Sequence, residues 1–407
     1  VDDSGKVPCV LIVATGRWVS TARLGMALAG LGCRVELVGT RNHPAHSTGA
    51  FSSSYRYDPL RPLESLRRAL REANPDGIIP ADELALMHLD ELARSSAPGD
   101  ALAKLLARSI GDALVFSAAQ SRMELLRLAK GEGVAVPETV EVRNPRELGA
   151  AIERIGLPLV LKADSTSGGR GVRIATSASE AMRAWKMLQQ PPGLARVFKR
   201  GAIEKDWTHL RTWTQRTLRD VTAQRFIPFA QGAERTGMAM CRHGKVMAFA
   251  CLEVLETWCE RGPSSLVRVV EDAVMERAMR LVAGRLGVSG FCGFDFIVDP
   301  GTGTPLLIEM NPRPTQLTHL PLGPGRDLAA SYVREILGLS EVRDRQSATA
   351  LELIAVFPQE LQRDPAGASL TDAFHDVPWD SPELMRQVLG RVPQLLTADA
   401  RWHGGKK

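Results

Sequence analysis

Leu157-Pro158-Leu159-Val160-Leu161-Lys162, Ser165-Thr166-Ser167-Gly168-Gly169-Arg170-Gly171 and Val172-Arg173-Ile174-Ala175 form the stretch on which the fold turns. The first segment is an apolar strand that ends in a lysine, and the last returns as a second strand. The residues between them are small, hydroxylated and glycine-rich, so the whole reads as a β-hairpin with a long tip. Gly168, Gly169 and Gly171 let backbone N–H groups approach an anion closely, with Lys162 and Arg170 adding positive charge beside it. The tip lacks the G-x-x-x-x-G-K-[ST] pattern of a Walker A loop. Hairpin tips are also glycine-rich for steric reasons alone, so this loop by itself is weak evidence for a phosphate.

Working outward, Pro145 to Ile155 reads as a helix before the hairpin, and Ser117 to Lys130 as another, stopped by Gly131 to Gly133. After the hairpin, Val221 to Ile227 reads as a strand ending at Pro228. Met238–Cys241 and Val246–Ala250 form a hairpin around Arg242-His243-Gly244-Lys245, and Glu271 to Leu286 is a helix. Cys292–Val298 and Pro305–Met310 are two strands joined by Asp299-Pro300-Gly301-Thr302-Gly303-Thr304. Their short link makes them antiparallel neighbours. By the period of two, Asp295 lies on one face between Phe294 and Phe296, and Glu309 and Asn311 share a face on the next strand. The three then converge. Three oxygen ligands on a rigid sheet suit Mg²⁺, which completes its shell with phosphate and water. Solvated polar positions are the bland alternative, and the apolar flanks speak against it. Arg313 follows on a segment stiffened by Pro312 and Pro314, where a guanidinium suits a phosphate or a substrate carboxylate.

The first hundred residues alternate strand and helix. Val10–Ala14, Arg34–Val38 and Ile78–Ile79 are strands, and Ser20–Gly30 and Leu63–Ala73 are helices, which implies a parallel α/β layer. Thr15-Gly16-Arg17 lacks the dinucleotide fingerprint. Asp82 lies just past a strand end, where such sheets bind ligands, but reads more readily as a helix N-cap. Beyond about residue 340 the chain reads as helical and proline-containing.

The chain has 407 residues, enough for two or three domains and large cores. Its 44% apolar and 24% charged content is ordinary for a globular protein. Apolar runs such as Val7 to Ala14 are far shorter than the roughly 20 residues of a membrane helix. No charged start followed by an apolar segment and a cleavage site appears, so a cytoplasmic protein is expected. The net charge is +5, but the basic residues are scattered and aromatics are only 5%, so nucleic acid is not the expected partner. The six cysteines have no C-x-x-C spacing and read as reduced thiols. Asn42-His43-Pro44-Ala45-His46 reads as a polar turn rather than a two-histidine metal patch.

Taken in order, Pro158–Lys162 with Gly168–Gly171, Gln224-Arg225-Phe226-Ile227-Pro228, Gly293-Phe294-Asp295-Phe296 and Leu307-Ile308-Glu309-Met310-Asn311-Pro312-Arg313 resemble the ATP-grasp superfamily over about residues 110 to 330. The combination is far more specific than any one motif. The resemblance implies an N-terminal parallel α/β domain over residues 1–112 and an ATP-grasp fold over 113–340, an α/β and α+β architecture. It also implies a mobile lid subdomain at about 140–218, with 341–407 as a C-terminal extension. It implies that Lys162 and Arg122 meet the ATP phosphates, that Gly168, Gly169 and Gly171 close over them, and that Arg170 and Arg313 assist catalysis. Gln224, Arg225, Phe226 and Ile227 match the hinge that reads adenine, with Gln224 where Glu is more usual. Glu234, or else Gln231, matches the ribose-binding position. Asp295, Glu309 and Asn311 match the Mg²⁺ ligands, with Mn²⁺ as an alternative ion. Gly262-Pro263-Ser264-Ser265 departs from a Gly-Gly-x-Ser loop of the superfamily at Pro263.

The implied reaction is ATP-dependent ligation of a carboxylate to an amine through an acyl phosphate, with small-molecule substrates and room for a homodimer. Two alternatives stay open: a bicarbonate-activating carboxylase or carbamoyl-phosphate-type enzyme, and a non-catalytic nucleotide-binding module. A complete Mg²⁺ set argues against the last.

Overall fold

The computed structural model describes residues 7–97, 99–164, 171–190, 220–228, 232–260 and 262–390. Three sheets organise them. Strands β1 (Cys9–Val13), β2 (Arg34–Gly39), β3 (Ser53–Arg56) and β4 (Gly77–Pro80) form a parallel sheet in the order β3-β2-β1-β4. Helices α1 (Val19–Gly30), α2 (Pro62–Ala73) and α3 (Glu83–Ser95) alternate with them, the first two as the apolar periodicity predicts. Strand β3 has no sequence signal, because Ser53-Ser54-Tyr55-Arg56 is a mostly exposed edge with no apolar alternation.

After α4 (Ala101–Ser109), the single helix expected over 117–130 is two: α5 (Ala113–Gln120) and α6 (Arg122–Gly131). Ser121 breaks them. Its backbone is extended, and its Oγ accepts from the N–H of Glu124 at 3.3 Å. The Ser-x-x-Glu pattern Ser121–Glu124 is a helix-start signal inside an otherwise continuous helical pattern. The break has a functional result: it puts Arg122 at the first position of a helix, where the backbone N–H has no partner within the helix.

A small antiparallel sheet follows, built from β5 (Thr139–Glu141), β6 (Leu159–Ala163), β7 (Val172–Ala175) and β8 (Val221–Arg225) in the order β5-β8-β6-β7. Helices α7 (Pro145–Ile155) and α8 (Ala178–Gln189) pack on it around Leu148, Leu161, Ala181, Trp185 and Ala223. This core is separate from the others. The expected hairpin is present, with Lys162 opposite Val172.

The third sheet has seven strands: β9 (Glu234–Arg242), β10 (Lys245–Thr257), β11 (Ser264–Val270), β12 (Gly290–Val298), β13 (Pro305–Asn311), β14 (Leu353–Ala355) and β15 (Phe374–His375). Their order is β13-β12-β9-β10-β11-β14-β15. His243 and Gly244, both at positive φ (47° and 80°), make the two-residue turn between β9 and β10. The last two strands correct the expectation of a helical C-terminal stretch. A three-residue strand is shorter than any periodicity can reveal, yet β14 pairs with β11 and extends the sheet.

The two faces of this large sheet differ. On one, Phe294, Phe296, Leu307 and Met310 are buried in a core shared with α6 and with α9 (Ala273–Leu286). On the other, Met238, Met240 and Phe291 are covered by α10 (Leu328–Glu335), where Tyr332 stacks on Phe291 at 4.9 Å. That second face then runs out from under its cover towards β13, and the candidate site lies there.

Candidate active site

Along the uncovered stretch, register fixes which side chains meet. Asp295 on β12 pairs directly with Glu309 on β13 and with Thr236 on β9, and Gly293 pairs with Asn311. Directly paired residues of antiparallel strands share a face. The convergence expected from the sequence is therefore present in the backbone. Thr236 Oγ1 donates to one oxygen of Asp295 at 3.3 Å, and Asn311 Nδ2 donates to the other at 3.2 Å. The amide oxygen of Asn311 is not used in that bond.

The register contains one irregularity that strict alternation does not anticipate. Asp295 pairs with Glu309 but Phe296 pairs with Leu307, so Ile308 is an extra residue, a β-bulge. A regular strand would put Leu307 and Glu309 on the same face. With the bulge, Leu307 is buried with Phe296 in the core while Glu309 stays beside Asp295.

One step further along the same face the chemistry changes. Ile297 pairs with Leu306 and with Glu234. Ile297 and Leu306 form a small apolar cluster with Ile227, Ala233, Ala135 and Ile308. Ile227 lies just past β8 of the small sheet. The face is thus acidic at one end and apolar at the other, with Glu234 at the junction.

The small sheet supplies the opposing charge. Burial and the neighbouring Arg122 lower Lys162 to about 8, against the pull of Glu309, Asp295 and Glu234. Burial and the Glu309 charge push Asp295 up to about 7, against Arg313 and the Thr236 bond. Burial also raises Glu234, with Lys162 opposing. Burial and the paired carboxylate both resist ionisation here, so a divalent cation would favour the ionised pair. Among the described residues no three His, Cys, Asp or Glu side chains converge on one point. Two carboxylates and an amide are what a cation with phosphate and water ligands requires.

Arg122 reaches into the site from the first turn of α6. Its Nη1 bonds Asp164 Oδ1 at 2.9 Å, and its Nη2 lies 3.4 Å from Glu309 Oε1. Its Nε is buried without a partner among the described residues. Arg313 is held from the N-terminal domain: its Nε bonds Glu83 Oε1 at 2.9 Å, and its Nη2 meets the same oxygen. Asp82 is the N-cap of α3, accepting from Ala85, and it also accepts from Thr15 and Gly16 after β1. Asp82 therefore orders the end of the parallel sheet and brings Glu83 to Arg313.

In the segment expected to be the hinge, Gln224 is buried and its Nε2 donates to Thr139 Oγ1 at 3.0 Å. The N–H of Arg225 is given to Glu138 O, and its guanidinium pairs with Asp299 at 2.6 Å. Phe226 and Ile227 follow beyond the strand. Gly171 is buried beside β6, its carbonyl accepting from Ala163 at 2.9 Å. Gly168, Gly169, Arg170 and Gln231 lie outside the described residues, as does much of the expected lid. Pro263 and Ser264 lead into β11 at the far side of the sheet. The six cysteines are outside any disulfide; five are buried and Cys259 is exposed. His43 and His46 lie on a short turn, where His43 Nδ1 accepts from Ala45. No described helix is long and apolar enough to cross a membrane.

Asp164, Thr236 and Glu83 were not singled out in the sequence. Asp164 carried a usable signal, since it stands two residues past Lys162 on the same strand edge. Thr236 and Glu83 reach the site only through strand pairing and domain contact.

Comparison with known proteins agrees with this fold. The family model described as the carbamoyl-phosphate synthase L chain, ATP-binding domain, matches residues 121–320. The formate-dependent phosphoribosylglycinamide formyltransferase of Synechococcus sp. (strain RCC307) is 26% identical over 78% of this chain and 72% of its own length. The chain spans 55% and 61% of two further curated enzymes of that description. The N5-carboxyaminoimidazole synthase of Aspergillus clavatus, solved with ADP and an aminoimidazole ribonucleotide, shares the fold with a TM-score of 0.59 at 17% identity, over 84% of this chain and 80% of that one. The biotin carboxylase domain of the Hydrogenobacter thermophilus 2-oxoglutarate carboxylase, solved with MgADP and bicarbonate, does so with a TM-score of 0.58 at 16% identity, over 83% and 71%. The motif order, the paired sheets and these relatives converge on one conclusion: residues 121–320 form an ATP-binding domain of the ATP-grasp type.

Proposed function

We propose that the chain uses ATP to phosphorylate a small carboxylate and passes the acyl phosphate to an amine, in the cleft between the small sheet and the uncovered stretch of the large one. The observation that carries this reading is the single face on which Asp295, Glu309 and Asn311 give way to Ile297 and Leu306, opposite Lys162 and Arg122. A triphosphate has the same polarity: anionic at one end and aromatic at the other.

Asp295, Glu309 and the Asn311 amide oxygen would hold Mg²⁺, or Mn²⁺ in its place, which supplies charge neutralisation at the β/γ-phosphates. Lys162 and Arg122 bind the phosphate oxygens, and Glu234 binds the ribose hydroxyls. Arg313, kept in place by Glu83, orients the substrate carboxylate. A carboxylate oxygen attacks the γ-phosphorus as the bond to the ADP oxygen breaks. The amine then attacks the acyl carbon, phosphate leaves, and the amine proton passes to solvent. No protein nucleophile is needed; the residues orient and stabilise charge.

The expected result is ADP release that needs both an acid and an amine, measured by a coupled assay across a panel of small carboxylates and amines. Stimulation by bicarbonate alone would move the reading to the carboxylase or carbamoyl-phosphate branch. Failure to bind ATP would reject it. On this reading the enzyme is cytoplasmic and dimeric, as the biotin carboxylase domain is a dimer; light scattering giving a monomer mass rejects the second point.

The hinge makes a separate prediction. Because the Arg225 N–H is committed to Glu138, the donor to the adenine edge falls to the residues just beyond it, above the Ile227 cluster. A site that pairs buried polar groups with one base rejects another by about 100-fold or more. Competition binding should therefore favour ATP over GTP by that order, and equal affinities would remove adenine from the hinge.

A further inference from the structure

Arg122 is held unusually fully for a residue that must meet a ligand. The carboxylate of Asp164 takes its Nη1 at 2.9 Å and its backbone N–H at 3.3 Å, so one side chain grips both ends of the residue. Both side chains are buried, at 8% and 10% exposure. Asp164 is itself fixed, its N–H donating to Asp220 O at 3.0 Å. The rest of the guanidinium is loosely held: the Glu309 contact is long at 3.4 Å, and Nε has no partner among the described residues. One edge is thus clamped, and the remaining donors point towards the carboxylate face.

We propose that Asp164 is a positioning residue for phosphate recognition: it presents Arg122 to the β/γ-phosphates from the end of the strand that also carries Lys162. The proposal rests on the nucleotide reading above and adds to it. A single strand, β6, then fixes both cations, Lys162 directly and Arg122 through Asp164. Three features make the clamp work. The break at Ser121 exposes the Arg122 N–H, the negative charge of Asp164 is favourable at a helix start, and burial keeps water from competing for the bonds. A guanidinium anchored at one edge loses less freedom on meeting a phosphate than a free one.

The test is calorimetric titration with Mg·ATP and with AMP of the wild type, Asp164→Asn, Arg122→Ala and the double variant. Asp164→Asn should weaken ATP about tenfold, the size of one charge-assisted hydrogen bond, with AMP affinity unchanged. The double variant should bind ATP no more weakly than Arg122→Ala alone, because Asp164 acts only through Arg122. Wild-type ATP affinity in Asp164→Asn, equal losses for ATP and AMP, or full additivity in the double variant would each overturn the proposal. A wild type that binds no ATP would instead bring down the nucleotide reading beneath it. If Asp164→Asn does not fold, Asp164→Glu decides: keeping the charge, it should discriminate ATP from AMP better than Asp164→Ala, and equal discrimination by the two overturns the role.

Discussion

Glu309→Gln should abolish phosphoryl transfer while leaving ATP bound. The substitution keeps the shape and the pairing with Asp295 but removes one of two negative charges at the site proposed for Mg²⁺. The apolar end of the cleft, at Ile227, Ile297 and Leu306, is untouched, so the nucleotide keeps its purchase there. What is lost is charge neutralisation at the reacting phosphate, and removal of one such contact typically costs about 100- to 1000-fold in rate. A Mg²⁺ titration of ADP release in the presence of the acid and the amine, in the wild type and the variant, measures it, with ATP affinity followed in parallel. Equal rates at equal Mg²⁺ would show that Glu309 is no ligand. Equal losses in rate and affinity would show that the carboxylate serves binding alone.

Lys162→Met should weaken ATP strongly, by about 100-fold, without weakening the protein. Burial and Arg122 bring the Lys162 ammonium down to about 8, so it is mostly charged at neutral pH and loses its charge as pH rises through that value. The sign for stability follows. A lysine with a folded value below its ordinary 10.5 binds fewer protons folded than unfolded between the two, so stability rises with pH across that window. At neutral pH the charge is therefore held at a cost, and Met, which keeps the stem, should leave thermal stability equal or higher. ATP affinity of the wild type should fall above about pH 8, and that of Lys162→Met should not follow the same curve. An unchanged affinity in the variant rejects the phosphate role. A large drop in thermal stability would mean instead that Lys162 is structural, compensating Glu309, Asp295 and Glu234.

The sequence made the site legible where the fold repeats with a short period. Asp295, Glu309 and Asn311 could be placed together because a two-residue rhythm and a short turn determine which face each occupies. The hairpin of Lys162 and the alternation of the N-terminal domain were readable for the same reason. What escaped depends on longer range or on interruption. The Ser121 break hides inside a continuous apolar pattern, and only the Ser-x-x-Glu spacing betrays it. Strands β3 and β14 are too short or too polar to show a rhythm. Glu83 meets Arg313 across 230 positions, which no local pattern can reveal. The commitment of the Arg225 N–H to Glu138 comes from strand pairing between segments far apart in the chain. The donor proposed for the adenine edge thus moves past Arg225 for a reason visible only in three dimensions.

The bulge at Ile308 bears on how this strand can change over generations. A strand with strict alternation offers each residue two directions, and any single-codon deletion inverts everything on one side of it. Here the extra residue supplies a third direction: Leu307 to the core, Ile308 to the cluster around Ile227, Glu309 to the carboxylate pair. Loss of the codon for Ile308 would restore plain alternation, with Leu307 still opposite Phe296 and Glu309 still opposite Asp295. Only the apolar contribution beneath the hinge would disappear. Lineages are therefore free to gain or lose a residue at this point without moving an acid, and an alignment of descendants should show a gap here that leaves the acidic chemistry on either side intact.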